Sequence, residues 1–431
     1  MTDFTRRGAL ACLGALAGCS TTNPLGGGRE TELDATALRA LGAESSPSIP
    51  ERLPVGVGAD HLAASEERAR TLLAAVPATL GPDEIPNGAI RERIRRRREY
   101  AVERLDTAAD APTPFERLEA LADARAEARF AAGAWRAIDQ GLTRDDLAEE
   151  AETVRDDRTA FRERWQYLGG DPVVAVRVHA EIERRVEGGR ADVALGEPRR
   201  YRVGNPLGVG EVAEEIERAR VAVADAAHLY DRLLASVDEP TDLRSRFVDA
   251  RRTLRDAFEA ERADLPDVDP ERPWQIEGVE VADTPAERAL DELYRPIDPR
   301  HGDGWDEAPP ARSLHWAHAS LIGVAAFGSL RARVADGETF AVESVDDVAA
   351  MRSEAVDAVR VAAADPSILT RTTLTDSADR LRHADARLTE TGDDTTAARI
   401  RHEVSTYPVV WARARATPPA SERVAGVLRS G

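Results

Sequence analysis

Apolar residues that alternate steps of three and four positions dominate most of the chain. The clearest run is Val209–Val237, where this spacing holds over four heptads. A second stripe at Phe115–Ile138 begins just after Thr113 and stops before Gly141. This spacing places apolar side chains on one face of an α-helix. Both segments are therefore predicted to be long amphipathic helices.

Local start signals agree with a helical chain, and strand signals are scarce. Thr113–Glu116 and Thr284–Glu287 each have the order of a capping box with proline at the first helical position. Short strands or a small hairpin are predicted only at Gln275–Val281 and Thr339–Glu343. We therefore predict an all-α fold, an antiparallel multi-helix bundle with little or no β structure.

The order of elements indicates two halves. Pro112–Gly141 and Pro310–Gly337 share a proline, a long Ala-rich helix, a phenylalanine and a closing glycine. An ancient duplication explains this likeness, and so does a shared Ala-, Arg- and Asp-rich composition, so both explanations stay open. We predict one half at residues 59–264 and one at 311–431, joined by an irregular connector at 265–310.

One predicted helix has an unusual composition. Ser313–Leu330 carries no formal charge over eighteen residues, a length near the lower limit of a membrane span. Its two histidines, two serines and two glycines make it a poor partner for hydrocarbon. We predict that it is the central, buried helix of the bundle, and a membrane span is the alternative.

The start of the chain does not follow the helical pattern. Arg6 and Arg7 precede Gly8–Gly18, an uncharged run that is too short to span a bilayer. The stretch Thr5–Leu10 resembles the twin-arginine (Tat) export motif, and it departs from that motif at Ala9, where many members carry phenylalanine. The resemblance implies a signal peptide at residues 1–18 and export from the cell.

The segment Leu16–Cys19 places small residues before a cysteine and resembles the lipobox of lipoproteins. The resemblance implies that Cys19 carries a lipid, which anchors the protein to the outer face of the cell membrane. Cys12 would leave with the signal peptide, so the mature chain would keep a single thiol and form no internal disulfide. Residues 19–58 are rich in Ser, Pro and Gly, and we predict that they form a flexible tether, in which the one helical candidate is a short segment at Thr31–Leu41.

The charge balance narrows the choice of partner. The chain has 58 basic residues, none of them lysine, against 78 acidic ones, for a formal net charge of −20. This composition resembles that of proteins from halophilic archaea. In strong brine the Debye length is about 3 Å or less, so the acidic surface does not imply a basic partner. The longest basic run, Arg95–Arg98, is flanked by Glu92 and Glu99, and nucleic acid is not an expected partner.

The residues that could form a metal site lie on and just before the uncharged helix. His315 and His318 are three residues apart on one helical face, and the loop just upstream supplies Asp303. Two imidazoles and a carboxylate would suit zinc or another divalent metal. The alternative is that both histidines are hydrogen-bonded core residues, because no metalloprotease-type spacing is present. No other cofactor and no catalytic residue is indicated, since nucleophile elbows, P-loops and dinucleotide fingerprints are missing from the sequence.

Three functions are compatible with these features. The first is a surface-anchored helical binding or scaffold module with an envelope protein as partner, which we favour because no catalytic motif occurs. The second is an exported, metal-dependent enzyme that uses the His315 and His318 region. The third is the solute-binding lipoprotein of a transporter, a class that normally has two α/β lobes.

Overall fold

The computed structural model describes residues 31–189, 201, 204–266, 268–301, 305 and 307–430. The helices in these residues are α1 (Ala35–Gly42), α2 (Ala59–Ala74), α3 (Gly88–Ala109), α4 (Pro114–Asp139), α5 (Ala148–Arg164), α6 (Pro172–Gly188), α7 (Pro206–Ala235), α8 (Arg244–Ala263), α9 (Pro285–Tyr294), α10 (Pro310–Ala335), α11 (Val345–Ala363), α12 (Ile368–Thr389) and α13 (Ala397–Ser430). Short 3₁₀ turns lie at Asp145–Leu147, Arg295–Ile297 and Pro299–His301. The prediction of an all-α fold is confirmed.

The strand content is small. Strands β1 (Leu168–Gly169) and β2 (Thr241–Asp242) pair antiparallel. The predicted strand at Gln275–Val281 contributes one isolated bridge, and the one at Thr339–Glu343 has no strand pairing in the described structure. A two-residue ladder gives few hydrogen bonds, so the fold depends on helix packing.

The first half is organised around α4, which packs against α2, α3 and α7. Helix α7 is the heptad segment, and its apolar positions, such as Ile216 and Leu233, are fully buried as the spacing predicts. Gly133 of α4 and Gly210 of α7 lie at the crossing of the two helices. A Cβ atom at Gly210 would come 2.8 Å from the Phe130 carbonyl oxygen. Glycine therefore allows the two backbones to approach closely.

The second half surrounds α10, the uncharged helix. This helix packs against α8, α9 and α13 and also against α6 of the first half. Leu321, Phe327 and Leu330 are almost completely shielded from solvent. The prediction of a central, buried helix is confirmed. Among the described residues, no helix has the length and apolar character needed to cross a membrane.

The predicted boundary between the halves needs a correction. We assigned α8 to the first half, but it packs against α10 and α13 and contributes Phe247 and Phe258 to their hydrophobic core. The predicted connector at 265–310 is also not wholly irregular. It contains α9, whose Leu290 is fully buried in the same core. The burial of apolar side chains therefore assigns both α8 and α9 to the second half, which the composition of the linking sequence did not indicate.

The predicted flexible tether is wrong for residues 31–58, and residues 19–30 lie outside the described residues. Helix α1 lies where the short helix is predicted, but it packs against α12 and buries Leu38 fully, so this part of the chain is not a free tether. Further along, Arg352 Nη1 donates to Glu44 at 2.8 Å, and the Gly58 amide donates to His228 Nε2 at 2.9 Å. We call residues 31–58 the strap, because they run from the second half to the first. Buried apolar side chains and polar contacts to distant residues together hold the strap, although its Ser- and Pro-rich composition predicts flexibility.

The two predicted capping boxes have different outcomes. Thr113 Oγ1 accepts a hydrogen bond from the Glu116 amide at 3.1 Å, so this cap is confirmed, while Glu116 itself accepts from the Glu51 amide of the strap. Thr284 does not cap α9. Its hydroxyl donates to the Val281 carbonyl at 2.7 Å instead.

Candidate functional site

A cleft of about 580 Å³ lies between the two halves. Helices α4 and α6 form one wall, α10, α12 and α13 form the other, and the strap reaches its edge. The lining residues are Glu51, Phe115, Glu119, Arg177, Ala180, Glu181, Arg184, His315, Ala319, Thr372, Thr373, Thr375, Asp376, Asp379 and Arg413. Its volume is that of a small-molecule site, and such sites often form between domains.

The α6 wall consists of paired charges. Arg184 donates to Glu119 at 3.0 Å and also to Glu181. Behind it, Arg185 donates to Glu119 and, at 2.6 Å, to the fully buried Asp225. These arginines therefore have carboxylate partners within the protein, and the named carboxylates outnumber them by three to two.

Burial perturbs the carboxylates at this wall. Burial raises the pKa of Glu51 and outweighs the charge of Arg177, whose Nη2 donates to Glu51 at 2.9 Å. Burial likewise raises the pKa of Glu119 against the opposing charges of Arg185 and Arg184. For Glu181, the arginine charges outweigh burial and lower the pKa. Perturbed carboxylates in a cleft are a property of functional sites, although buried ion-pair networks share it.

His315 and His318 point to different surroundings. The His315 ring is accessible to solvent through the cleft, but most of the volume around it is protein. Burial, followed by the charges of Arg177 and Arg312, lowers its pKa. His318 is buried, and its Nε2 lies 3.0 Å from Ser421 Oγ. Burial lowers the pKa of His318 to about 3, so it is a neutral, hydrogen-bonded core residue.

The predicted metal ligands, His315, His318 and Asp303, do not form a site among the residues that the structure describes. Among them, no group of three or more His, Cys, Asp or Glu side chains is placed to hold a metal ion. Asp303 lies outside the described residues, as do Arg6, Arg7 and the lipid acceptor Cys19. The structure thus brings His315 to a cleft but turns His318 into the core.

The opposite wall contains a basic residue that the sequence analysis missed. Arg413 of α13 lines the cleft with its side chain only 16% exposed. Its position had a readable signal: it follows the buried Val409 and Val410 by one helical turn and precedes the buried Thr417. An arginine on an apolar helix face requires an acceptor. That pattern indicates an arginine that needs a partner, but it does not show which partner Arg413 meets.

Helix α12 adds an acceptor-rich surface. The Thr372 hydroxyl donates to the Ile368 carbonyl at 2.9 Å, and the Thr373 hydroxyl donates to the Leu369 carbonyl at 3.2 Å. Because their protons are used within the helix, these hydroxyls present lone pairs to the cleft. Asp376 and Asp379 lie on the same helix and line the same cleft.

Comparison with known proteins divides the chain where the packing does. Residues 60–239 match the family model of a domain of unknown function (DUF8262), and residues 244–426 match that of a second such domain (DUF8264). The chain matches no curated protein and no solved structure. The interval between the two matches falls just before α8, so helices from both matched segments line the cleft.

Proposed function

We propose that the protein is an exported, lipid-anchored binding module of the cell envelope, and that it holds a small ligand in the cleft between its two halves. The main support for this proposal is the cleft. It is large enough for a small molecule, it lies between two domains, and it contains an accessible imidazole, buried charge and perturbed carboxylates.

The proposed location in the cell envelope is based on the sequence of the first nineteen residues. Arg6 and Arg7 precede an uncharged run that closes at Cys19, in the order expected of a Tat-exported lipoprotein. The membrane is then a partner through the lipid on Cys19, and an envelope protein would receive or present the ligand. The acidic, lysine-free composition supports work in concentrated salt, as in halophilic archaea.

A blocked cleft tests the binding function. Ala319→Trp places a large ring in the cleft, and Ala386→Trp, on the exposed face of α12, is the matched control. We expect that a thermal-shift screen of polar metabolites finds a compound that stabilises the natural chain and the control but not Ala319→Trp. If every stabilising compound acts equally on both variants, the cleft is not the binding site.

Fractionation of cells tests the location. Arg6→Lys combined with Arg7→Lys should leave the precursor in the cytoplasm, and Cys19→Ser should release the protein into the medium. Cys12→Ser, inside the proposed signal peptide, is the control and should leave the distribution as it was. An unchanged distribution in all variants would contradict export and anchoring together.

The two other functions receive less support. A metal-dependent enzyme that uses His315 and His318 would need both rings at one site, and His318 hydrogen-bonds Ser421 in the core. A solute-binding lipoprotein of a transporter is favoured by the position of the cleft between two halves. That function requires the halves to open and close, and the packing of α6 on α10 ties them together.

A further inference from the structure

We propose that the cleft binds small polar molecules that combine an oxyanion with hydroxyl or ammonium donors, and that Arg413 holds the oxyanion. This inference rests on the proposed function, because it names the ligand class of the same cleft. It follows from the way in which charges are paired on the two walls.

Arg413 has no carboxylate within direct hydrogen-bond distance among the described residues. Its Nε is buried and has no hydrogen-bond partner among the described residues. Its acidic neighbour is Asp376, whose Oδ2 lies 3.6 Å from Nη2, too far for a direct hydrogen bond. Burial lowers the pKa of Arg413, as expected for a cation whose lost hydration is not fully replaced. An oxyanion would supply the missing acceptors in the fork geometry that guanidinium groups favour.

Two other arginines show what full pairing looks like in this protein. Arg184 has two carboxylate partners, Glu119 and Glu181. Arg352 donates to Asp385 through Nε at 2.9 Å and through Nη2 at 3.1 Å. Arg413 lacks an arrangement of either kind. The carboxylates of the cleft are already engaged with other arginines, so it is a basic group that remains to be matched.

Two further donors line the cleft, one on each wall. Arg177 of α6 uses Nη2 for Glu51 at 2.9 Å, but its Nε is buried and unpaired within the described chain. His315 of α10 is open to the cleft and held neutral, so one ring nitrogen is a donor and the other an acceptor. Donors from α6, α10 and α13 thus line one cleft.

The acceptors lie on α12. The lone pairs of Thr372 and Thr373 and the carboxylate of Asp379 line the cleft and would accept hydrogen bonds from hydroxyl or ammonium groups. A ligand that satisfies both the donors and the acceptors therefore has an anionic end and a donor-rich end. In concentrated salt, long-range attraction is screened beyond about 3 Å, so these direct contacts decide the selectivity.

Calorimetric titration of the full chain in detergent and concentrated KCl tests the inference with three matched probes: glycerol, glycerate and glycerol phosphate. All three carry at least two hydroxyl groups on a three-carbon chain, and they differ in having no oxyanion, a carboxylate or a phosphate. We expect glycerate or glycerol phosphate to bind and glycerol not to bind. The stronger of the two identifies the oxyanion that the cleft prefers.

Arg413→Gln should weaken binding of the preferred probe roughly ten- to hundredfold, the loss expected for a hydrogen bond to a charged group. Arg415→Gln is the matched control, because Arg415 lies on the exposed face of the same helix. If Arg413→Gln does not fold, Arg413→Lys keeps the charge without the fork and should still weaken binding.

Three results would overturn the inference: glycerol binding as tightly as the anionic probes, unchanged affinity in a folded Arg413 variant, or no binding of any probe. None of them contradicts the proposed function by itself. The metabolite screen with Ala319→Trp decides that question separately.

Discussion

Glu183 of α6 caps the amino terminus of α10 by accepting a hydrogen bond from the Ala311 amide. Oε1 lies 3.0 Å from the Ala311 nitrogen, and Oε2 lies 2.6 Å from the Arg312 nitrogen. Helix α10 has no side-chain cap of its own, because Pro309 occupies the N-cap position. A carboxylate from the first half therefore fills a role that is usually local, and it orients the central helix of the second half.

Removal of this carboxylate should destabilise the fold. In Glu183→Ala the amides of Ala311 and Arg312 lose a buried acceptor, and the Tyr167 hydroxyl, 2.8 Å from Oε1, loses it too. We expect a loss of about 1–3 kcal/mol in the free energy of unfolding, measured by urea denaturation with circular dichroism. Glu187→Ala, one turn later on α6, removes an exposed carboxylate and should cost under about 1 kcal/mol. Equal losses in the two variants would show that the cap does not stabilise the fold.

The strap should depend on the buried ion pair of Arg352 with Asp385. Asp385 accepts from Arg352 at 2.9 Å and from the Tyr407 hydroxyl at 2.8 Å, and it also accepts from Ser46 of the strap. In Asp385→Asn the guanidinium loses its buried counter-charge and keeps only the exposed Glu44, and the loss of a buried ion-pair partner typically costs about 3–5 kcal/mol. We expect that loss in urea denaturation, together with faster limited proteolysis near Ser46.

The control for this experiment is Asp393→Asn, because Asp393 is 90% exposed and pairs with Arg39 at the surface. Its stability and its rate of cleavage should stay close to those of the natural chain. Cleavage that is no faster in Asp385→Asn than in Asp393→Asn would mean that apolar contacts, such as that of Leu38, hold the strap alone.

The sequence predicted what depends on local periodicity and missed what depends on distant pairing. Helix α7 was predictable because its apolar residues repeat along one face, and α10 because an uncharged helix with polar residues fits a core better than a bilayer. The strap was missed because it is held by partners about three hundred residues away, as in the pair Glu44–Arg352. His315 could be singled out by residue type, but the incomplete pairing of Arg413 exists only once α12 and α13 are packed.

The crossing of α4 and α7 should not tolerate a larger residue at Gly210. A Cβ atom there would lie 2.8 Å from the Phe130 carbonyl oxygen and 3.0 Å from the Ala134 Cβ, closer than such atoms normally approach. We expect Gly210→Ala to lower the free energy of unfolding by about 1–3 kcal/mol, because the helices must separate. Gly426→Ala, inside α13 with open space around it, is the control and should raise stability by up to about 1 kcal/mol. A stabilising Gly210→Ala would contradict the close approach.

The buried His179 should make stability depend on pH. Burial lowers its pKa from 6.5 to about 4, and its ring accepts from the Trp165 indole at 3.1 Å and contacts the Leu168 carbonyl at 3.0 Å. Because the folded pKa lies below the unfolded value, protonation favours unfolding. Its contribution to stability is complete above pH 6.5 and is lost as the pH falls toward 4. One pKa unit corresponds to about 1.4 kcal/mol, so the full loss is about 3 kcal/mol.

A variant separates this histidine from the carboxylates that also titrate in acid. His179→Gln keeps an acceptor for Trp165 and a donor for Leu168 but does not titrate. We expect urea denaturation to show a smaller decrease in its free energy of unfolding between pH 6.5 and 5 than in the natural chain. His383→Gln, at an exposed histidine of α12, is the control and should keep the natural pH dependence. If His179→Gln and the natural chain lose stability in parallel, His179 is not the group that senses pH, and the buried His318 becomes the next residue to replace, since its pKa of about 3 predicts the same sign.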